Sequence, residues 1–299
     1  MKRRALPRPS SRGTLHVWAN GVLFIGEDMV NAPHRHFTAS VMYSLDRPFR
    51  IRTRNHGDWF STDGVMVAPN VEQQMDAPGT SVVILQVDPE TSDYGKIAHH
   101  FDRRGRVHAM EGEIVERLRR ETSELARGGG RGIELWQRVV SALADPGGQV
   151  RELDSRVRAV LTILKQDFLS PPKAAELAKR VGLSSGRLIH LFSEQMNLPV
   201  RRYVLWLRLR DVVLSLAMGH TLTEAAHRAG FADSAHMTRT FRGMFGMPPS
   251  IMVERLSQVK LVFDVETSLR QDGPHKTFDA ERLARAAEAL AAKQGGDPA

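Results

Sequence analysis

Between residues 14 and 95 apolar and polar positions alternate in short runs: Leu15 to Trp18, Val22 to Ile25, Phe37 to Leu45, Phe49 to Thr53, Gly64 to Ala68 and Ser81 to Val87. Turn-forming sequence lies between them (Asn/Gly, Asp-Arg-Pro, Asn-His-Gly-Asp, Asp-Ala-Pro-Gly), and short strands at this spacing predict an antiparallel barrel or sandwich. The period then changes. From Val107 to Ala126 and from Ile133 to Leu143, apolar residues such as Ile114, Leu118 and Leu125, or Leu135, Val139 and Leu143, recur at helical spacing, with Gly128 to Gly130 between the two predicted helices. Asp145-Pro-Gly-Gly148 breaks the chain and marks a domain boundary. From Leu153 onward the pattern is helical throughout. Val157, Val160, Leu161 and Leu164 form one stripe, and Val200 to Ala217 reads as one long helix. Beyond Glu254 the signal weakens, although residues 279–293 are Ala-rich and place Leu283, Ala287 and Leu290 on one face of a predicted terminal helix. The expected class is α+β and multidomain: a basic arm at 1–13, a β-rich domain with following helices at 14–148, an all-α domain at 153–256 and an extension at 257–299.

The all-α segment contains a repeat. Residues 176 to 182 read Glu-Leu-Ala-Lys-Arg-Val-Gly and residues 224 to 230 read Glu-Ala-Ala-His-Arg-Ala-Gly. Each copy is a short amphipathic helix stopped by a glycine, which reaches the left-handed turn conformation at low cost. An apolar residue follows, Leu183 or Phe231, then a capping Ser184 or Asp233, then a second helical run closing on Phe192 or Phe241. Helix, tight turn, helix, given twice, makes DNA the first partner to consider.

Charge reinforces this reading. The chain carries a formal net charge of +8, and residues 153–256 alone hold 15 Lys/Arg against 8 Asp/Glu. Such a segment attracts the phosphate backbone through counterion release. There is no cysteine, which excludes a disulfide scaffold, a thiol nucleophile and thiolate metal sites and fits a reducing compartment. The basic start lacks the apolar run of a signal peptide and no segment approaches the ~20 apolar residues of a membrane span, so a soluble, cytoplasmic protein with no membrane partner is expected.

Residues 153 to 253 resemble the AraC/XylS family of bacterial transcription regulators. The likeness runs through Glu176-Leu-Ala, Gly182-Leu-Ser, Leu188, Leu191-Phe192, Tyr203, Arg208-Leu209, Ala226, Gly230-Phe-Ala-Asp-Ser234, Thr238-Arg-Thr-Phe241 and Phe245-Gly-Met-Pro-Pro249. The resemblance implies base contacts from the exposed positions of each second helix: Gly186, Arg187, Ile189 and His190 in the first motif, and Ser234, Ala235, His236, Thr238 and Arg239 in the second. Leu188, Leu191, Phe192, Met237 and Phe241 take the buried face. Arg239 is the strongest base reader, because its planar fork matches guanine O6 and N7, whereas Ile189 offers only an apolar face to a thymine methyl. Hydrogen-bonded readout is therefore expected chiefly from the second motif. Met252 and Val253 stand where the family usually has Tyr and Arg. The resemblance further implies a cupin-like amino-terminal barrel that binds a small-molecule effector, a homodimer, and RNA polymerase as a partner.

In that amino-terminal domain His34-Arg-His36 places two imidazoles on one side of a predicted strand. Thr38 to Ser44 contains no carboxylate, and Gln73 and Gln74 stand where metal-binding cupins bring a later histidine. Two imidazoles are too few for an ordinary zinc site. No metal, cofactor or catalytic residue is therefore expected, and His34, His36, Gln73 and Gln74 are the candidate effector contacts. Two alternatives remain: a cupin metalloenzyme with an appended DNA-binding module, and a regulator answering to a protein partner.

Overall fold

The computed structural model describes residues 13–18, 21–53, 57–101, 106–127, 130–148 and 150–263, with residues 285, 288 and 289 beyond them. The basic arm and most of the predicted terminal helix lie outside the described residues; 285, 288 and 289 are themselves helical.

The amino-terminal sheet is organised around one long strand, β8 (Glu72–Val87). Its second half lies between β2 (Gly21–Val30) and β4 (Ala39–Ser44); its first half pairs with β3 (His34–Arg35) and β5 (Phe49–Thr53). β1 (Gly13–Trp18) extends the sheet beyond β2. β7 (Gly64–Val67) and β9 (Val107–Met110) extend it beyond β4, and β6 (Phe60–Thr62) pairs with β5. All these pairings are antiparallel. The exception is β10 (Lys260–Phe263), which returns from the carboxy-terminal domain to lie parallel to β1.

Several elements differ from the sequence pattern, β9 and the first half of β8 among them. Val107 to Met110 is not the start of a helix: it pairs along β7 from Val67 to Gly64, and Gly112, at φ +64, turns the chain before α2 (Glu113–Arg127). The sheet edge satisfies backbone groups that a first helical turn would leave open. β8, in turn, begins well before Ser81. Gln73, Met75 and Ala77 are buried while Glu72, Gln74 and Asp76 are half-buried, a two-residue period hidden by its polar composition. A bulge between Glu27 and Met29 absorbs the interruption at Pro78-Gly79, where the Gly79 amide donates to Asp28 Oδ1 at 2.6 Å.

α2 and α3 (Gly132–Leu143) cover the sheet. Trp136 meets Trp18 edge-on at 4.8 Å and donates to Asp93 Oδ2, while Tyr43 bonds Thr122. Asp93 belongs to α1 (Ser92–Ile97), capped by Thr91 and followed by a 3-10 turn.

The carboxy-terminal domain comprises α4 (Ser155–Gln166), α5 (Ala174–Arg180), α6 (Ser185–Met196), α7 (Val200–Ala217), α8 (Leu222–Arg228), α9 (Ser234–Phe245) and α10 (Pro249–Gln258). Its core gathers Leu161, Leu188, Phe192, Tyr203, Leu209 and Phe241. One member comes from outside. Phe37, expected at the start of a strand, precedes β4 and lies in this second core, stacked on Trp206 at 5.2 Å and tilted against Tyr203 at 5.3 Å. Among the described residues no helix is long and apolar enough to cross a membrane.

Candidate nucleic-acid interface

The two repeats turn alike. In the first, Gly182 takes φ +67 and the amide of Leu183 returns to Ala178 O at 2.9 Å; in the second, Gly230 takes φ +73 and the amide of Phe231 returns to Ala226 O at 3.0 Å. These bonds satisfy carbonyls that the ends of α5 and α8 would otherwise leave open. The next helix is then capped by a side chain. Ser184 accepts from the amide of Arg187, and Asp233 from that of His236 at 2.6 Å. The His236 amide, and more weakly Arg239, hold the Asp233 carboxyl below its ordinary range. α8 has in addition a full capping box between Thr221 and Glu224.

The second helix of each motif presents a solvent face. On α6, Gly186, Arg187, Ile189 and His190 are exposed, and Ile189 keeps 47 % of its surface in water although it is apolar. On α9, Ala235 and Arg239 are exposed, and Ser234, His236 and Thr238 are half-buried. The His236 ring is held edge-on against Phe231 at 5.4 Å, which limits its reach. Leu188, Leu191, Phe192, Met237 and Phe241 are buried as the pattern requires. Arg242 and Gly243 share the exposed face of α9 one turn beyond Arg239, and counting on by three and four from Arg239 would have found them. α7 spans 18 residues. At 1.5 Å each that is roughly 27 Å, somewhat less than the ~34 Å turn of the duplex.

Residues 177–255 match the family model described as "Helix-turn-helix domain". The carboxy-terminal domain is of the AraC/XylS type. Relatives of this domain include the Msm operon regulatory protein of Streptococcus mutans, 26% identical over 123 residues, which are 39% of this chain and 44% of the relative. The HTH-type transcriptional regulator YpdC of Escherichia coli is 26% identical over 35% of this chain and 37% of its own length. GbdR of Pseudomonas aeruginosa is 28% identical over 31% and 26% respectively. The matches thus span less than half of these curated relatives. Among solved structures, an apo variant of ToxT from Vibrio cholerae superposes with a TM-score of 0.57 at 10% identity, covering 79% of this chain and 97% of that one. ToxT bound to (E)-4-(8-methylnaphthalen-1-yl)but-3-enoic acid gives 0.52 at 9% identity over 78% and 97%. At such identity the likeness is one of fold, and it extends beyond the AraC/XylS-type domain into the amino-terminal sheet.

The four amino-terminal candidates are not gathered around one point. His34 is buried, with Nδ1 at 2.8 Å from Ala32 O and Nε2 at 2.8 Å from Nε2 of His36. The His36 ring meets Phe245 of α9 edge-on at 6.3 Å, and the Ala32 amide donates to Gly246 O at the end of that helix. The histidine pair therefore faces the carboxy-terminal end of α9, the second helix of the second motif. Burial holds both imidazoles below their ordinary pKa, His36 the more strongly, with His34 adding to the shift. Gln73 pairs with His34 across the strands and donates to Ser40 Oγ, whereas Gln74, on the other face, accepts from Arg52 and donates to Asn31 O. Thr38, Ser40 and Gln86 complete a polar chain around Gln73 whose Oε1 is buried with no partner among the described residues. Thr38 and Ser40, two residues apart, and Gln86 within the apolar end of β8 are the sequence signal for it. No group of three His, Asp or Glu able to hold a metal occurs among the described residues.

Proposed function

We propose that the protein is a sequence-specific transcription regulator that reads two successive major-groove segments with α6 and α9. The observation that carries this is the duplicated, separately capped motif with two exposed second helices, joined by an 18-residue α7. Arg187, Ile189 and His190 would supply one set of contacts, and Ser234, Ala235, His236, Thr238 and Arg239 the other. Arg239 carries the principal hydrogen-bonded readout, because Ile189 offers its base only van der Waals contact.

The amino-terminal domain is the sensory half of this reading, and the protein acts in the cytoplasm as a homodimer that meets RNA polymerase. The fold likeness to ToxT, solved with a bound organic acid, supports a small-molecule effector. The unpaired Gln73 Oε1 suits a ligand with a donor to offer, with His34, His36 and Gln74 as further contacts. A non-enzymatic role fits the relatives, which are regulators. The metalloenzyme reading would need more than His34 and His36, whose Nε2 atoms are engaged with each other.

The full-length protein titrated with mixed-sequence duplex DNA should bind at low salt, with log affinity falling linearly against log salt concentration. An absence of any shift at low salt would remove DNA as the partner.

A further inference from the structure

The end of β8 leads into Asp88-Pro-Glu90-Thr91, and both carboxylates turn inward: Asp88 is 2% exposed and the Glu90 side chain 1%. Their charged partners come from the other domain. Lys165 Nζ of α4 lies 2.5 Å from Glu90 Oε2, and Tyr203 of α7 donates to Glu90 Oε1 at 3.0 Å. Arg210, two turns further along α7 and buried, acts on Asp88 and Glu90, with Asp211 beside it. Tyr203, Trp206 and Arg210 fall on one face of α7, and that face meets the amino-terminal domain, with Phe37 between Tyr203 and Trp206. Arg202 donates to Asn70 Oδ1 at 2.7 Å, and Asn197, which ends α6, donates to the Tyr94 hydroxyl.

Buried ion pairs add little to overall stability, since desolvation offsets attraction, but removing one partner strands the other. Here the two partners sit on separate domains. The charges of Glu90 and Lys165 are compensated across the boundary between the two domains.

We propose that Glu90 with Lys165, Tyr203 and Arg210, packed beside Asp88, forms a charge latch by which the amino-terminal domain sets the position of α7, and with it the placement of α6 relative to α9. The consequence for DNA rests on the function proposed above, but the latch itself is testable without DNA. Glu90 and Lys165 are positioning residues: neither lies on the exposed faces of α6 and α9.

The absence of cysteine allows clean paired spin-labelling of the full chain through Arg120→Cys on α2 and Lys179→Cys on α5, both exposed. Pulsed distance measurement should give one narrow distribution. Glu90→Lys should broaden or shift it by several ångströms with far-UV dichroism unchanged, and the swap Glu90→Lys with Lys165→Glu should restore it. An unchanged distribution in folded Glu90→Lys, or a swap that does not restore, would overturn the latch. Loss of secondary structure in the single variants and the swap alike would also overturn it, by making the cluster part of the folding core.

Discussion

Arg239 and Ile189 are both exposed, on α9 and α6, yet they can do different things to a base. Arg239→Ala should cost about 1–3 kcal/mol on the best site and flatten the preference at one position. Ile189→Ala should lose less, and only where a thymine is preferred. Equal, sequence-independent losses would make Arg239 a phosphate contact instead. A second residue-scale prediction concerns Asp88, whose carboxyl is pushed up to about 8 by burial, then by Glu90, against the pull of Lys165 and Arg210. Docked, Asp88 keeps its proton to a higher pH than it would in water. The docked form is therefore fully favoured below the ordinary carboxylate range and loses ground as pH rises through about 8. The spin-label distribution should broaden progressively from about pH 4 to about pH 8 in the natural sequence and stay constant in Asp88→Asn; pH-independence in both would contradict this. Single residues were legible from sequence where their chemistry is local, as with the caps Ser184 and Asp233. His34 and His36 were not, because the surface they face, Phe245 and Gly246, is distant in the chain.

At the scale of elements, the turn glycines fix each motif. Gly182 and Gly230 both hold left-handed backbone, and a Cβ at Gly182 would meet open space, whereas at Gly230 it would lie 3.2 Å from Leu169 Cδ2. Gly182→Ala should destabilise by about 1–2 kcal/mol from backbone strain, and Gly230→Ala by at least as much. Urea midpoints would check this, and a neutral or stabilising Gly230→Ala would contradict it. α7 appears with the bounds its apolar pattern predicts, since a long helix repeats one signal many times. β9 has a helical look in sequence because four residues carry too little period to separate the two, and only β7 decides between them. The first half of β8 is not legible in the sequence, because a strand whose faces carry Glu, Gln and Asp lacks the apolar contrast that marks strands.

For the whole molecule, two cores follow from the change of period along the chain, but Phe37 and the charge latch join them through contacts that no local pattern carries. β10, running parallel to β1, ties the far end of the helical domain back to the sheet, so that domain is held at both ends. The central claim is that one chain reads two segments of DNA with two helices. Selection of binding sites from random duplex by the full-length protein, repeated with Arg187→Ala and with Arg239→Ala, tests it most directly. The natural sequence should select two conserved blocks about one helical turn, ~10 base pairs, apart, and each variant should lose preference in a different block. A single selected block, or loss in the same block from both variants, would contradict the account.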